Sequence, residues 1–257
     1  MGFMKEGGGY RIFDPPCNYT TKHRKTMSPR EAAWIRAVSN TVQIAQAHDL
    51  RGIGTGLHVT ITQGRKKFSC IVTAAHVLPT RAQARRATCV FPQVDSRYPR
   101  REVAFDTVRL YLNCSPHLDV ALVALARNVV RAPPPPLYPP PRPYSDTHKE
   151  VVGTEAEVLH VLHHGGGAPR VGLTTGRLVM ALETAFAFAA PAMPGSSGSP
   201  VLTSAFRVYG IVIAENDALL NLQRRDASYT QVTEAQFLGL VLDALKKRGM
   251  AIANHRE

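Results

Sequence analysis

The sequence predicts an all-β protein: two antiparallel six-stranded β-barrels with a short N-terminal helix and a C-terminal α-helix. Three observations carry that expectation. Short apolar segments with a period of two fall into two sets of about six, one on each side of residues 131–150. Between the sets lies the tract Pro133-Pro134-Pro135-Pro136-Leu137-Tyr138-Pro139-Pro140-Pro141-Arg142-Pro143, and proline cannot donate to a strand ladder. Near the end, Leu238, Val241, Leu242 and Leu245 repeat at helical spacing, followed by Lys246, Lys247, Arg248 and a terminating Gly249.

The elements follow in order. Residues 1–27 form a basic, irregular arm. Ser28-Pro29-Arg30-Glu31 then reads as a capping box with proline at the first helical position, so a short helix to about Val38 is expected. From Thr41 the period becomes two, through Val42 and Ile44. Gly52-Ile53-Gly54-Thr55-Gly56-Leu57 leads into alternating Leu57, Val59 and Ile61. A turn at Gln63-Gly64-Arg65-Lys66 returns the chain through Phe68, Cys70 and Val72, a hairpin that ends at His76. Further strands are expected at Thr88–Phe91, Thr107–Asn113 and Val120–Leu125.

The proline tract reads as a semi-rigid polyproline spacer, although such a tract could also recruit an SH3 or WW module. After it, strands are expected at Glu157–Leu162, Val171–Leu182, Ala185–Ala190, Pro200–Thr203, Val208–Glu215 and Tyr229–Val232. Thr233 and Gln236 form a second capping box, and Val232 with Phe237 a hydrophobic staple, so the last helix is expected to start at Thr233. The implied organisation is arm and helix (1–40), first barrel (41–130), linker (131–150), second barrel (151–232), then helix and tail (233–257).

Composition narrows the function. No apolar run approaches the roughly 18 residues of a membrane span, and the N-terminus lacks the apolar segment of a secretory signal. Four scattered cysteines (Cys17, Cys70, Cys89, Cys114) lack metal-site spacing and read as reduced thiols in an intracellular, cytoplasmic setting, with Cys70 in the core. The formal net charge is +12, with arginines at 81, 85, 86, 97, 100 and 101. No aromatic-interleaved motif accompanies them, which argues for a solvated surface over nucleic-acid binding. His160, His163 and His164 read as strand and loop histidines, because residues three apart cannot share a strand face. No metal or other cofactor is implied.

Three segments carry chemistry, in this order: Thr73-Ala74-Ala75-His76-Val77-Leu78, His117-Leu118-Asp119-Val120-Ala121-Leu122, and Pro194-Gly195-Ser196-Ser197-Gly198-Ser199-Pro200. In the last, glycines two before and one after Ser197 allow a tight turn that projects its hydroxyl and lets neighbouring amides converge. Together with Gly54-Thr55-Gly56-Leu57 and the segment Val171–Val179, these motifs resemble the chymotrypsin-fold (trypsin-like) serine proteases from about Thr41 to Leu245. Within them they look closest to the high-temperature-requirement and glutamyl endopeptidase types.

The resemblance implies His76 as general base, Asp119 as its orienting acid and Ser197 as nucleophile, with an oxyanion hole from the Gly195 and Ser197 amides. It implies a side-chain pocket between Ala189–Met193 and Ile211–Asn216, involving Ala190, Pro191, Met193, Val212, Ile213 and Glu215. With no acid on the first wall, small or medium apolar side chains are expected there, Glu215 being read as a rim charge. The expected activity is endoproteolysis of protein or polyprotein substrates, a virus-encoded processing enzyme included. The competing expectation is a protease-fold binding or scaffold protein whose triad is unused. Three departures stand out: no Ile-Val-Gly-Gly-like start, no cysteine bracing the His76 turn, and Ser199 in place of a second glycine.

Overall fold

The computed structural model describes residues 11–12, 27–114, 118–129, 131, 133–137, 158–181, 185–215 and 233–253. In chain order the elements are β1 (Arg11–Ile12), α1 (Pro29–Asn40), β2 (Thr41–Gln46), β3 (Gly52–Gln63), β4 (Lys66–Ala74), α2 (Arg81–Arg85), β5 (Ala87–Phe91), β6 (Arg101–Ala104), β7 (Tyr111–Asn113) and β8 (Val120–Ala124). The second half has β9 (Val158–His163), a 3-10 turn (Gly165–Gly167), β10 (Gly172–Ala181), β11 (Ala185–Ala189), β12 (Pro200–Thr203), β13 (Val208–Glu215), β14 (Thr233–Phe237), α3 (Leu238–Lys246) and β15 (Met250–Ile252).

The expected capping box forms. Glu31 N–H donates to Ser28 Oγ at 3.2 Å, and Ser28 N–H donates to Glu31 Oε2 at 2.8 Å. Helix α1 runs on to Asn40, two residues beyond the expected Val38. The hairpin β3–β4 also forms around Gly64, whose φ of +58° needs glycine's freedom.

The first sheet has the order β6-β5-β2-β3-β4-β8-β7, with β15 on β3. Asp106 N–H to Ala124 O (2.8 Å) and Ala126 N–H to Ala104 O (2.9 Å) stitch the end of β6 to the end of β8, curling six strands into a barrel wall. Nearly every residue of β4 and β8 is buried, because both faces of these strands are covered. Inside are Ile44, Ile71, Phe91, Val123 and Leu125. Outside, Leu57, Val59, Cys70, Val72 and Leu122 meet α3 (Leu238, Val241, Leu245) and second-half residues such as Leu202 and Ile211. This shared layer fixes one half against the other.

The second sheet closes completely. Its order β9-β10-β11-β14-β13-β12 returns to β9, since β9 pairs with both β10 and β12. Phe186, Phe188, Leu159, Val201 and Tyr209 fill it. Strand β1 adds to β10 from outside, so the N-terminal arm contributes an ordered pair to this barrel.

Two local expectations change. Thr233–Phe237 is a strand, and the last helix starts at Leu238, where Thr233 was expected to cap it. The ladder offered on both sides, by β11 and by β13, satisfies more backbone than the capping box could. The expected strand Tyr229–Val232, and Val232 of the staple, lie outside the described residues. Of Thr107–Asn113, only Tyr111–Asn113 is strand. Asp106 Oδ1 accepts from the N–H groups of Val108 and Arg109 and holds the preceding residues in a turn. Strands β6 and β15 and the helix α2 were not anticipated.

The start of the proline tract is docked on the second barrel: Val208 N–H donates to Pro136 O at 2.9 Å, and Leu137 bridges Val208. Residues 138–157 lie outside the described part. Cys70 and Cys89 are buried free thiols and Cys114 a half-buried one. No helix among the described residues is long and apolar enough to cross a membrane.

Candidate active site

Register brings His76 and Asp119 together. Strands β4 and β8 pair Ala74 with Val120, so the turn leaving β4 faces the residue that enters β8. Ala75 N–H donates to Asp119 O at 3.1 Å. His76 N–H donates to Asp119 Oδ1 at 3.0 Å, and His76 Nδ1–H donates to Oδ2 at 2.6 Å. Asp119 thus grips both the backbone and the ring, and leaves Nε2 as the ring's basic atom. The ring is half-exposed and the carboxylate a third exposed. That hydrogen bond raises the His76 pKa above 6.5, against a smaller opposing effect of burial.

Ser197 arrives from the other barrel, on a turn that alternates bonded and unbonded amides. Ser196, Gly198 and Ser199 N–H donate to Met193, Val212 and Ser196 carbonyls at 2.8, 2.8 and 3.0 Å. Among the described residues, the Gly195 and Ser197 N–H groups have no acceptor. Gly195 has φ +90° and Gly198 φ +84°, both in the left-handed region that favours glycine. Of the three serines, Ser196 and Ser199 are fully buried, whereas Ser197 is accessible. Its hydroxyl makes no hydrogen bond among the described residues, and such catalytic contacts often tighten only when substrate binds.

Thr55 joins the two halves of the site, a role that sequence reasoning missed. Its N–H donates to Ser197 O (2.9 Å) and its Oγ1 donates to Gly195 O (2.7 Å). The same Oγ1 accepts from His164 N–H (2.9 Å), and its carbonyl accepts from Thr73 Oγ1 (2.7 Å). One residue therefore sets the Gly195–Ser196 and Ser197–Gly198 peptides, which flank the Ser196-Ser197 pair, and ties them to the strand that leads to His76. The only sequence signal was a hydroxyl side chain between two glycines at the start of a strand. Gly198 packs into the same joint, where a Cβ would lie 2.1 Å from both Thr55 O and Thr73 Oγ1.

Thr55→Val keeps the shape and removes both hydroxyl bonds. It is expected to lower kcat about ten- to a hundredfold with little change in KM, and Thr55→Ser should restore it. Steady-state kinetics of the two variants check this.

The expected side-chain pocket is placed unevenly. Pro191, Met193 and Ile213 are half-exposed, whereas Ala190 and Val212 are buried in the second barrel's core with Phe186 and Phe188. Val212 meets the nucleophile turn through its backbone, donating to Ser199 O at 2.9 Å and accepting from Gly198. The Glu215 backbone pairs with Thr233; its side chain is outside the described residues.

The three histidines of the second barrel each have a separate partner: His160 Nδ1 with Thr175 Oγ1, His163 Nε2 with Thr174 Oγ1, and His164 Nδ1–H with Ala168 O. Among the described residues, no group of three or more His, Cys, Asp or Glu could hold a metal.

Comparison with known proteins shows the family and the fold. The family described as the trypsin-like peptidase domain matches residues 54–211, a span that contains all three segments. Among solved structures, the serine endoprotease from Yersinia pestis aligns with a TM-score of 0.56 and 13% identity, over 87% of this chain and 67% of that one. At that identity the likeness speaks for the fold. A search of curated proteins found no match.

Proposed function

Since the chain belongs to the trypsin-like peptidase domain family and is a serine peptidase, we propose that it is an endopeptidase working through His76, Asp119 and Ser197. The observation that carries this reading is the double grip of Asp119 on His76, on a strand that Thr55 ties to Ser197.

In the proposed reaction, Ser197 Oγ attacks the scissile carbonyl carbon and its proton passes to His76 Nε2. Asp119 holds the imidazole in the required tautomer and stabilises the imidazolium. The unbonded Gly195 and Ser197 amides donate hydrogen bonds to the oxyanion. Collapse breaks the C–N bond, and the leaving amine takes the proton from Nε2. Water then hydrolyses the acyl-enzyme by the same route, with His76 as base. The apolar 191–193 wall and Ile213 favour small or medium apolar side chains before the scissile bond.

Labelling with a fluorophosphonate probe tests the proposal, with mass spectrometry to locate the adduct. An adduct on Ser197 is the expected result. No adduct would overturn the assignment and favour a binding role for the fold, whereas an adduct on Ser196 or Ser199 would move the nucleophile to that serine.

The pH dependence gives a second check. His76 must be neutral to accept a proton, and Asp119 raises its pKa above 6.5. Activity should therefore rise with pH through a midpoint above 6.5, and Asp119→Asn should remove most of it. A profile of kcat/KM that stays flat from about pH 5 to 8 would exclude a histidine base.

A further inference from the structure

Beside Gly195 lies a cavity of about 600 Å3 that none of the expected pocket residues lines. Its walls are Gln46, Leu50, Arg51 and Ile53 from the β2–β3 turn, with Gly166, Gly167 and Pro194 opposite. Resting on the assignment of Ser197 as nucleophile, we propose that this cavity holds the substrate segment after the scissile bond, and that Arg51 selects an acidic side chain at its first or second residue.

Position supplies the first argument. The walls assigned to the acyl side, residues 191–193 and Ile213, belong to the second barrel. A peptide laid across Ser197 with one side chain against them must continue past the oxyanion glycine on the other side. There the first barrel's turn and Gly195 enclose the cavity.

Charge supplies the second. Arg51 is exposed and, among the described residues, is the only charged one lining the cavity. Its guanidinium has no carboxylate partner among the described residues. The nearby carboxylate of Asp49 accepts from the Arg51 backbone N–H at 2.9 Å and lies 3.4 Å from His48 Nε2. The mount is firm as well. Leu50 N–H donates to Gln46 O and Gln46 N–H to Arg51 O, both at 2.9 Å, with Leu50 held at φ +56°. Gly52 lets this turn lie against the 3-10 turn, since a Cβ there would sit 2.7 Å from Gly167 Cα. A guanidinium carried on a firmly held backbone, with no carboxylate partner among the described residues, suits a carboxylate in a fork of two hydrogen bonds.

The test uses peptides that differ only in carrying Asp, Asn or Lys at the two positions after the scissile bond. Wild-type protein should cleave the Asp peptide with a kcat/KM about three- to tenfold above the Lys peptide, as fits an exposed ion pair. Roughly 0.5 M salt should shrink that ratio. Arg51→Glu should reverse the order of Asp and Lys. If that variant does not fold, Arg51→Gln serves, with the ratio expected to fall to about one. An unchanged ratio in the folded variant, while wild-type Ser197 takes the fluorophosphonate label, would overturn the role of Arg51 alone. Failure of that label would remove the underlying assignment instead.

Discussion

Ser197→Ala is expected to abolish peptide hydrolysis, with kcat falling by roughly ten-thousand- to a millionfold. The size of the effect comes from chemistry: without the hydroxyl there is no acyl-enzyme, and only the oxyanion site and substrate binding are left to assist water. The fold should not notice. Ser197 is accessible and its hydroxyl makes no hydrogen bond among the described residues, so the cost in stability should stay within about 0.5 kcal/mol. A kinetic assay with thermal unfolding of the same preparation checks both halves. Activity near that of wild type would end the assignment of Ser197. Lost activity with a collapsed unfolding temperature would mean that the serine is structural.

The second large effect is acid unfolding. His58, His163 and His164 are buried, and burial lowers the pKa of each to about 4, with Arg131 adding to the shift at His58. At His163 the reason for neutrality is visible: Gly165 N–H donates to its Nδ1 at 3.0 Å, so that nitrogen cannot carry a proton of its own. In the unfolded chain the same side chains titrate near 6.5, so between pH 6.5 and 4 the unfolded state binds more protons. The stability these groups contribute is therefore complete above pH 6.5 and lost progressively as pH falls towards 4.

Each shift corresponds to about 3 kcal/mol, a large share of the ~5–15 kcal/mol total of an ordinary domain. His76, with its raised pKa, works in the opposite direction, but it is half-exposed and does not offset them. Denaturant unfolding between pH 8 and 4.5 should show a steep fall below about 6.5. His163→Gln should flatten it. A stability independent of pH over that window would refute the buried neutral histidines.

Much of this architecture was legible because its signals are local. The Ser28 box, the Gly64 hairpin and the alternation of Leu57, Val59 and Ile61 are satisfied by neighbours in sequence, and they appear in the structure as read. The three segments around His76, Asp119 and Ser197 were legible for the same reason, each being a turn with its own residue code. What escaped depends on distant partners. Thr233 and Gln236 spell a helix start, yet β11 and β13 offer a ladder on both sides that overrides it. Met250-Ala251-Ile252 is too short to announce a strand and exists because β3 has a free edge. Thr55 looked like one residue of a strand motif, and its contacts lie 109 and 140 positions away. Arg51 was one basic residue among many until the fold placed it beside Gly195.

The pairing of β15 with β3 also bears on how the molecule is made. Thr62 and Ala251 are joined across 189 positions, so the first sheet gains its edge strand only after the second barrel and α3 have been synthesised. A nascent chain on the ribosome presents His76 long before Ser197 exists, and β3 meets β15 only after both sequences around those residues have been made. The pairing of β15 with β3 is thereby a late event of biosynthesis, made after both barrels have left the ribosome.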